Sequence, residues 1–118
     1  MVIEKRSERR QYPRFMVGGK TRGRVTTYDA SLLDISLGGA LVEHAQIVRP
    51  GTLSYLVLPL QGQQLSLRCR VARSLVHRPE RQPDGERMLI YHTGLEFVEP
   101  SDETLTVISE YIDSLKGH

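Results

Sequence analysis

The chain has 118 residues, of which 39% are hydrophobic and 25% are charged, and its net charge is +2. These values are typical of one soluble globular domain with its own core. No apolar run is long enough to cross a bilayer, and the first residues lack the apolar segment of a signal peptide, so we expect a cytoplasmic protein without membrane insertion. The single Cys69 excludes an intramolecular disulfide.

Basic residues concentrate near the N-terminus. Residues 1–24 contain eight lysines and arginines and two glutamates, which gives this segment a charge of +6 and leaves −4 for the rest. Residues 1–14 have no convincing strand or helix pattern, and Pro13 favours extended geometry at Tyr12. The pattern predicts a flexible basic arm over residues 1–18, which either meets an anionic partner or is simply solvated.

From residue 19 onward the sequence indicates strands separated by short turns. Gly38-Gly39, Pro50-Gly51 and Gln61-Gly62 mark turns between stretches rich in β-branched, aromatic and leucine residues. The predicted strands cover residues 20–27, 28–35, 52–60, 63–77 and 86–98, with a further strand starting over 40–43 and a polar loop over 78–85. Six strands without intervening helices predict a mainly β fold, an antiparallel sheet closed into a small barrel over residues 19–99.

Alternation along the strands predicts the core. The apolar face of the fifth strand is formed by Leu65, Leu67, Cys69 and Val71. On the last strand the corresponding residues are Leu89, Tyr91, Leu95 and Phe97. Cys69 is therefore interpreted as a buried residue and not as a nucleophile. Tyr55 also lies in a pattern typical of core residues.

A helix is predicted over residues 100–118. Ser101 lies where an N-cap is expected, acidic residues follow in the first turn, and Gly117 marks the end. The apolar side chains on one face are Leu105, Ile108, Ile112 and Leu115. We expect this face to cover one mouth or side of the barrel, with dimerisation as the alternative.

The turn after the second strand carries a group of polar residues. Asp34 offers acceptor oxygens, Ser36 offers a hydroxyl, and Gly38-Gly39 leaves backbone that a ligand can approach closely. Closure of the turn alone is the competing interpretation. A complementary group exists in the arm, where Arg10 and Arg14 are four residues apart and carry planar forks that pair with phosphate oxygens or with the O6/N7 edge of guanine.

These two motifs together resemble a known family. Arg10-x-x-x-Arg14 followed by Asp34-x-Ser36-x-x-Gly39 is similar to the two-part signature of PilZ domains, bacterial receptors for cyclic di-GMP. The resemblance extends to Arg9 before the first motif, to Leu37–Ala40 and to Gly94–Val98. It implies a six-stranded antiparallel split barrel with a C-terminal helix.

The resemblance also implies how the ligand would be bound. The paired arginines would grip guanine edges and phosphates, and the aspartate would accept hydrogen bonds from guanine N1 and N2. The serine and the glycine backbone would complete the contacts, and the arginine before the motif would stack on a base or reach a second phosphate. The implied ligand-binding residues are Arg9, Arg10, Arg14, Asp34, Ser36, Gly38 and Gly39.

We therefore expect a second-messenger receptor, not an enzyme, that needs no cofactor besides its ligand cyclic di-GMP. The arm would become ordered when the ligand bridges it to the Asp34 turn, and the signal would pass to an unidentified effector protein controlling motility, adhesion or exopolysaccharide. The domain would be a monomer or a homodimer. His44, His77, His92 and His118 lack metal-ligand spacing, so no metal is expected.

Two alternatives remain open at this stage. One is a PilZ-like protein-interaction module that does not use the nucleotide. The other is a small barrel that binds single-stranded nucleic acid through the basic arm. Nucleic acid is the less favoured partner, because base stacking needs exposed aromatic side chains and Tyr55, Tyr91 and Phe97 are all expected in the core.

Overall fold

The computed structural model describes residues 12–117. In this part of the chain, six antiparallel strands and one helix are present. In chain order the elements are β1 (Phe15–Val25), β2 (Tyr28–Ile35), β3 (Gly39–His44), β4 (Leu53–Leu60), β5 (Gln63–Arg81), β6 (Arg87–Phe97) and α1 (Asp102–Lys116). The predicted mainly β class and the six strands with a C-terminal helix are confirmed.

The six strands form a closed barrel in the order β1-β2-β3-β6-β5-β4. β1 and β4 close the barrel through the pairs Arg24 with Val57 and Val25 with Leu56. At this seam a side chain on Gly23 would overlap the Val57 carbonyl oxygen. A glycine is therefore required where the two strands approach each other most closely.

The core lies inside the barrel and below α1. Leu65, Leu67, Cys69 and Val71 are all buried, as the alternation predicted. Burial raises the pKa of the Cys69 thiol to about 12, so the thiol stays protonated at neutral pH and is a poor nucleophile.

The C-terminal helix packs against the barrel. Ile108 and Ile112 belong to the same core cluster as the strand residues. The Ser101 hydroxyl accepts a hydrogen bond from the Thr104 N–H and caps the first turn of α1. Within residues 12–117, no helix has the length and hydrophobicity that a bilayer-spanning segment requires.

Two predicted element boundaries are wrong. β1 begins at Phe15, so residues 15–18 belong to the barrel and not to the arm. Gly18 and Gly19 have φ angles of 76° and 80°, and they lie where the register between β1 and β2 shifts. The less exposed and more exposed positions of β1 alternate through this bulge, but Gly18 and Gly19 have no side chains that would show the alternation in the sequence, and this conceals the start of the strand. Residues 1–11 of the predicted arm lie outside the described residues.

The second boundary concerns the hairpin between β5 and β6. β5 continues to Arg81 and β6 begins at Arg87, so the connecting loop covers residues 82–86 instead of 78–85. The register shifts twice along this hairpin, between Val71 and Arg73 and again between Val76 and Arg78. Each shift reverses the face on which the following side chains lie.

Two residues predicted to be in the core are exposed. Tyr55 has 55% of its surface accessible, because Leu56 and Leu58 on the same strand point inward. Apolar residues occupy both faces of β4, so alternation does not distinguish them. Leu89 is 46% exposed, while its neighbour Ile90 is buried. Tyr91 and Phe97 are partly buried.

Candidate ligand-binding site

The corner between β2 and β3 is held by the Ser36 side chain. The Ser36 hydroxyl oxygen accepts hydrogen bonds from the N–H groups of Gly38 and Gly39, each at 3.1 Å. The Ser36 N–H in turn donates to the Gly39 carbonyl at 2.9 Å. Ser36 is buried, so its hydroxyl is already committed to the corner. The structure thus gives Ser36 the turn-closing role that the sequence left as an alternative.

Gly39 is required for the packing of β3 on β6. A side chain at this position would overlap the Leu95 carbonyl oxygen. The neighbour of Gly38 is the Tyr12 ring. A Cβ added at Gly38 would lie 2.9 Å from Cδ2 of this ring. The aromatic ring of Tyr12 therefore lies directly on the Gly38 backbone. This contact joins the segment that precedes β1 to the corner.

Asp34 lies one step before the corner. Its Oδ2 is 3.8 Å from Nη1 of Arg14, and the aspartate side chain is 10% exposed while the arginine side chain is 64% exposed. The pKa of the Asp34 carboxyl is raised, mainly because burial disfavours the ionised form. The Arg14 guanidinium and a hydrogen bond from the Leu41 N–H act in the opposite direction, but their effect is smaller. The carboxylate is thus poorly solvated, so further hydrogen-bond donors would stabilise its ionised form.

An open cavity of about 560 Å³ lies beside this corner. One side is formed by Tyr12, Arg14 and the β2–β3 turn. The other side is the outer wall of the barrel, where Arg73, Gly94 and Glu96 lie on β5 and β6. The cavity thus has charged groups on both sides and exposed backbone at a glycine between them. It can accept a polar, anionic ligand of nucleotide size.

Five of the seven predicted site residues are described. Ser36, Gly38 and Gly39 line the cavity together with Arg14. Asp34 does not itself line the cavity, but it contacts Arg14, which does. Arg9 and Arg10 lie outside the described residues.

Sequence reasoning missed Arg73. Continued alternation from Leu67, Cys69 and Val71 would place Arg73 inside the barrel. The register shift after Val71 turns it outward instead, opposite Gly94. A Cβ on Gly94 would be 3.8 Å from the Arg73 Cγ, so the arginine stem lies over this glycine. No signal in the sequence marks the bulge, because it depends on pairing with β6.

A second polar cluster extends across β3, β6 and β5. The Glu43 carboxylate lies 2.8 Å from His92 Nε2 and accepts a hydrogen bond from Arg78 at 3.1 Å. The pKa of Glu43 is lowered, mainly by the hydrogen bond from Arg78 and also by the contact with His92. Partial burial acts in the opposite direction but is outweighed. His77 stacks on His92 with 3.8 Å between ring centroids. Within residues 12–117, no group of three or more His, Cys, Asp or Glu residues is arranged to hold a metal ion. His118 lies beyond this range.

Comparison with known proteins supports the same fold and family. A family model described as PilZ domain matches residues 4–114. Among solved structures, the PilZ domain with c-di-GMP of YcgR from Escherichia coli has a TM-score of 0.72 and 17% sequence identity, with 92% of each chain covered. No curated protein sequence matches the chain. Since the family model covers nearly the whole chain, the protein belongs to the PilZ domain family.

Proposed function

We propose that this PilZ protein is a bacterial receptor for cyclic di-GMP, which binds in the cavity beside the β2–β3 corner. The observation that carries the proposal is the pair formed by Arg14 and Asp34 at 3.8 Å. It brings one residue of each predicted motif to the same edge of the cavity. The solved PilZ domain of YcgR, whose structure is described as containing c-di-GMP, provides an independent reason to choose this ligand.

The chemistry of the pair suits guanine and phosphate. A carboxylate only accepts hydrogen bonds, so Asp34 is suited to the N1 and N2 donor edge of guanine. The guanidinium fork of Arg14 suits either the O6/N7 edge or a phosphate. The 3.8 Å separation is too long for a direct hydrogen bond. A ligand that donates to Asp34 and accepts from Arg14 would satisfy both groups.

The other predicted site residues take supporting roles in this proposal. Arg10 joins Arg14 on the phosphates and guanine edges, and Arg9 stacks on a base or reaches a second phosphate. Gly39 allows the ligand to approach the backbone of the corner, and Gly38 does so once the Tyr12 ring that lies on it moves aside. Ser36 holds this corner in shape through its two hydrogen bonds from glycine N–H groups.

The output that we propose is ordering of the basic N-terminal segment. When the dianionic ligand bridges its arginines to Asp34, this segment closes over the cavity and presents a new surface to an effector protein. The process controlled would be motility or biofilm formation. Hydrogen exchange of residues 5–16 should slow at saturating ligand. Unchanged exchange would contradict this relay.

The binding proposal is tested by calorimetric titration of the full chain with cyclic di-GMP, GMP and cyclic GMP. We expect selective binding of cyclic di-GMP, and the measured stoichiometry distinguishes a single ligand from an intercalated pair. The absence of binding, with a normal melting curve, would favour the interaction module that does not use the nucleotide. Asp29→Asn is the matched control for Asp34→Asn, because Asp29 is an exposed carboxylate on the same strand.

A further inference from the structure

An exposed aromatic side chain lies on the outer wall of the barrel. Tyr55 on β4 is 55% exposed, and Leu53 on the same face is 49% exposed. Two large apolar side chains therefore stand in a row along one strand. An aromatic ring in this position is not needed for the core, which is formed by the opposite face of β4.

A row of arginines runs beside these two side chains. On β5, Arg68 pairs with Tyr55 and Arg70 pairs with Leu53. Directly opposed residues lie on the same face, with Cβ atoms about 4.5–5.5 Å apart. Successive residues on one face are about 6.6 Å apart along a strand. We name the surface formed by Leu53, Tyr55, Arg68 and Arg70 the β4–β5 patch.

The arginines of the β4–β5 patch form no ion pair with any residue that the structure describes. On β1, Arg24 pairs with Val57 and so lies diagonally from Tyr55. Cations thus flank the tyrosine on two sides. Carboxylates lie at both borders of the patch, because Glu96 on β6 is the register partner of Arg70 and the exposed Asp29 on β2 is the register partner of Arg24.

We propose that the β4–β5 patch binds single-stranded nucleic acid. A single strand carries its bases on one side and its phosphates on the other, which matches an apolar row beside a cationic row. Bases would stack on the Tyr55 ring, and phosphates would pair with Arg68 and Arg70. From the sequence, nucleic acid is the less favoured partner because Tyr55, Tyr91 and Phe97 are all expected in the core. The exposure of Tyr55 removes that reason for this residue.

An acidic protein is the competing partner, since tyrosine and arginine are also frequent at protein interfaces. Such a partner needs the charge but does not need a planar ring. The geometry favours nucleic acid because the exposed ring lies between cations on β1 and β5. This proposal does not depend on cyclic di-GMP binding, which uses the opposite border of β5.

The test is fluorescence anisotropy of a labelled oligouridylate with the full chain, over salt concentrations from about 50 to about 200 mM. We expect binding that weakens with salt. Tyr55→Phe should retain affinity, while Tyr55→Leu, which keeps apolar area but removes the ring, should reduce affinity about fivefold or more. Arg68→Gln should lower the salt slope by about 0.7, the contribution of one phosphate contact on a single strand.

Matched variants at the hairpin tip provide the control. Arg81→Gln and Arg87→Gln remove the same charge from exposed positions away from the patch, and they should change affinity less than Arg68→Gln. Equal losses at the tip and the patch would overturn the proposal, as would absence of binding. Equally tight binding of polyglutamate, with no effect of Tyr55→Leu, would overturn it in favour of an acidic protein. Melting curves of each variant establish that the fold is intact.

Discussion

Arg14 and Asp34 meet where β1 and β2 run side by side, with Nη1 of the arginine 3.8 Å from Oδ2 of the aspartate. The register partner of Asp34 on β1 is Met16, and Met16 follows Arg14 by two residues in the chain. Barrel formation therefore places Arg14 beside Asp34, although the two residues are twenty positions apart in the sequence. The two side chains are too far apart for a direct hydrogen bond, and the arginine is largely exposed to solvent while the aspartate is buried. Arg14 also lines the open cavity.

Arg14→Ala should remove most of the nucleotide affinity and leave the fold intact. Exposed ion pairs contribute about 0–1 kcal/mol to stability, and the Arg14 side chain is 64% exposed. A bidentate contact to guanine is worth about 1–3 kcal/mol, which corresponds to a loss of affinity of about fivefold to about 150-fold. Calorimetry and thermal melts measure the two effects. Arg49→Ala, at another exposed arginine, should alter neither. A large drop in melting temperature for Arg14→Ala would assign it a structural role.

Asp34 should make cyclic di-GMP affinity depend on pH. Burial raises the pKa of its carboxyl in the folded protein. Ligand N–H groups would stabilise the ionised form, so affinity should fall as the pH is lowered through this raised pKa. Asp34→Asn should bind more weakly and lose this pH dependence, whereas Asp29→Asn should keep it. Titrations at several pH values measure the effect, and a pH dependence retained in Asp34→Asn would exclude Asp34 as its source.

The same pKa shift predicts the effect of Asp34 on stability. Because the folded pKa is above the unfolded value, this group stabilises the fold below the unfolded pKa, and that stability is lost as the pH rises through the folded pKa. Near neutral pH the ionised carboxylate is therefore unfavourable for folding. Asp34→Asn should melt at the same or a higher temperature than the wild type. A clear decrease in melting temperature would show that contacts of the carboxylate outweigh its desolvation.

Ser36→Ala should destabilise the β2–β3 corner. The substitution leaves the N–H groups of Gly38 and Gly39 without the acceptor that they share. Loss of such a buried acceptor costs about 1–3 kcal/mol, which urea denaturation can measure. Ser66→Ala, at an exposed position of β5, is the control and should have little effect. If both variants unfold at the same urea concentration as wild type, the corner does not depend on this hydroxyl.

The glycines of β3 and β6 should differ sharply in their tolerance of a methyl group. In Gly39→Ala the new Cβ would overlap the Leu95 carbonyl oxygen, so β3 must move away from β6. Overpacking of this kind costs about 1–3 kcal/mol. In Gly94→Ala the nearest atom is the Arg73 Cγ at 3.8 Å, an ordinary contact, so the fold should tolerate it. Thermal melts of the two variants provide the comparison, and equal stability would contradict the close approach at Gly39.

The sequence by itself determined the strand number, the C-terminal helix and the family. Alternation in β5 correctly identified Leu65, Leu67, Cys69 and Val71 as core, because one face of a regular strand must be buried when the other meets water. The polar residues Asp34 and Ser36 stood out because they interrupt an apolar strand just before a glycine pair. These signals are local, so they can be detected without knowledge of strand pairing.

Only the tertiary structure decided which side chains face the cavity and which face solvent elsewhere. Arg73 lines the cavity because a register shift with β6 turns it outward, and Tyr12 reaches the site by packing on Gly38. Tyr55 is exposed because Leu56 and Leu58 occupy the inner face of a strand that is apolar on both sides. For Arg73 and Tyr12 the deciding interaction joins residues that are distant in sequence, so a local pattern contains no information about it. For Tyr55 a period-two pattern does not decide, because both faces of β4 are apolar and only the folded barrel determines which face is inside.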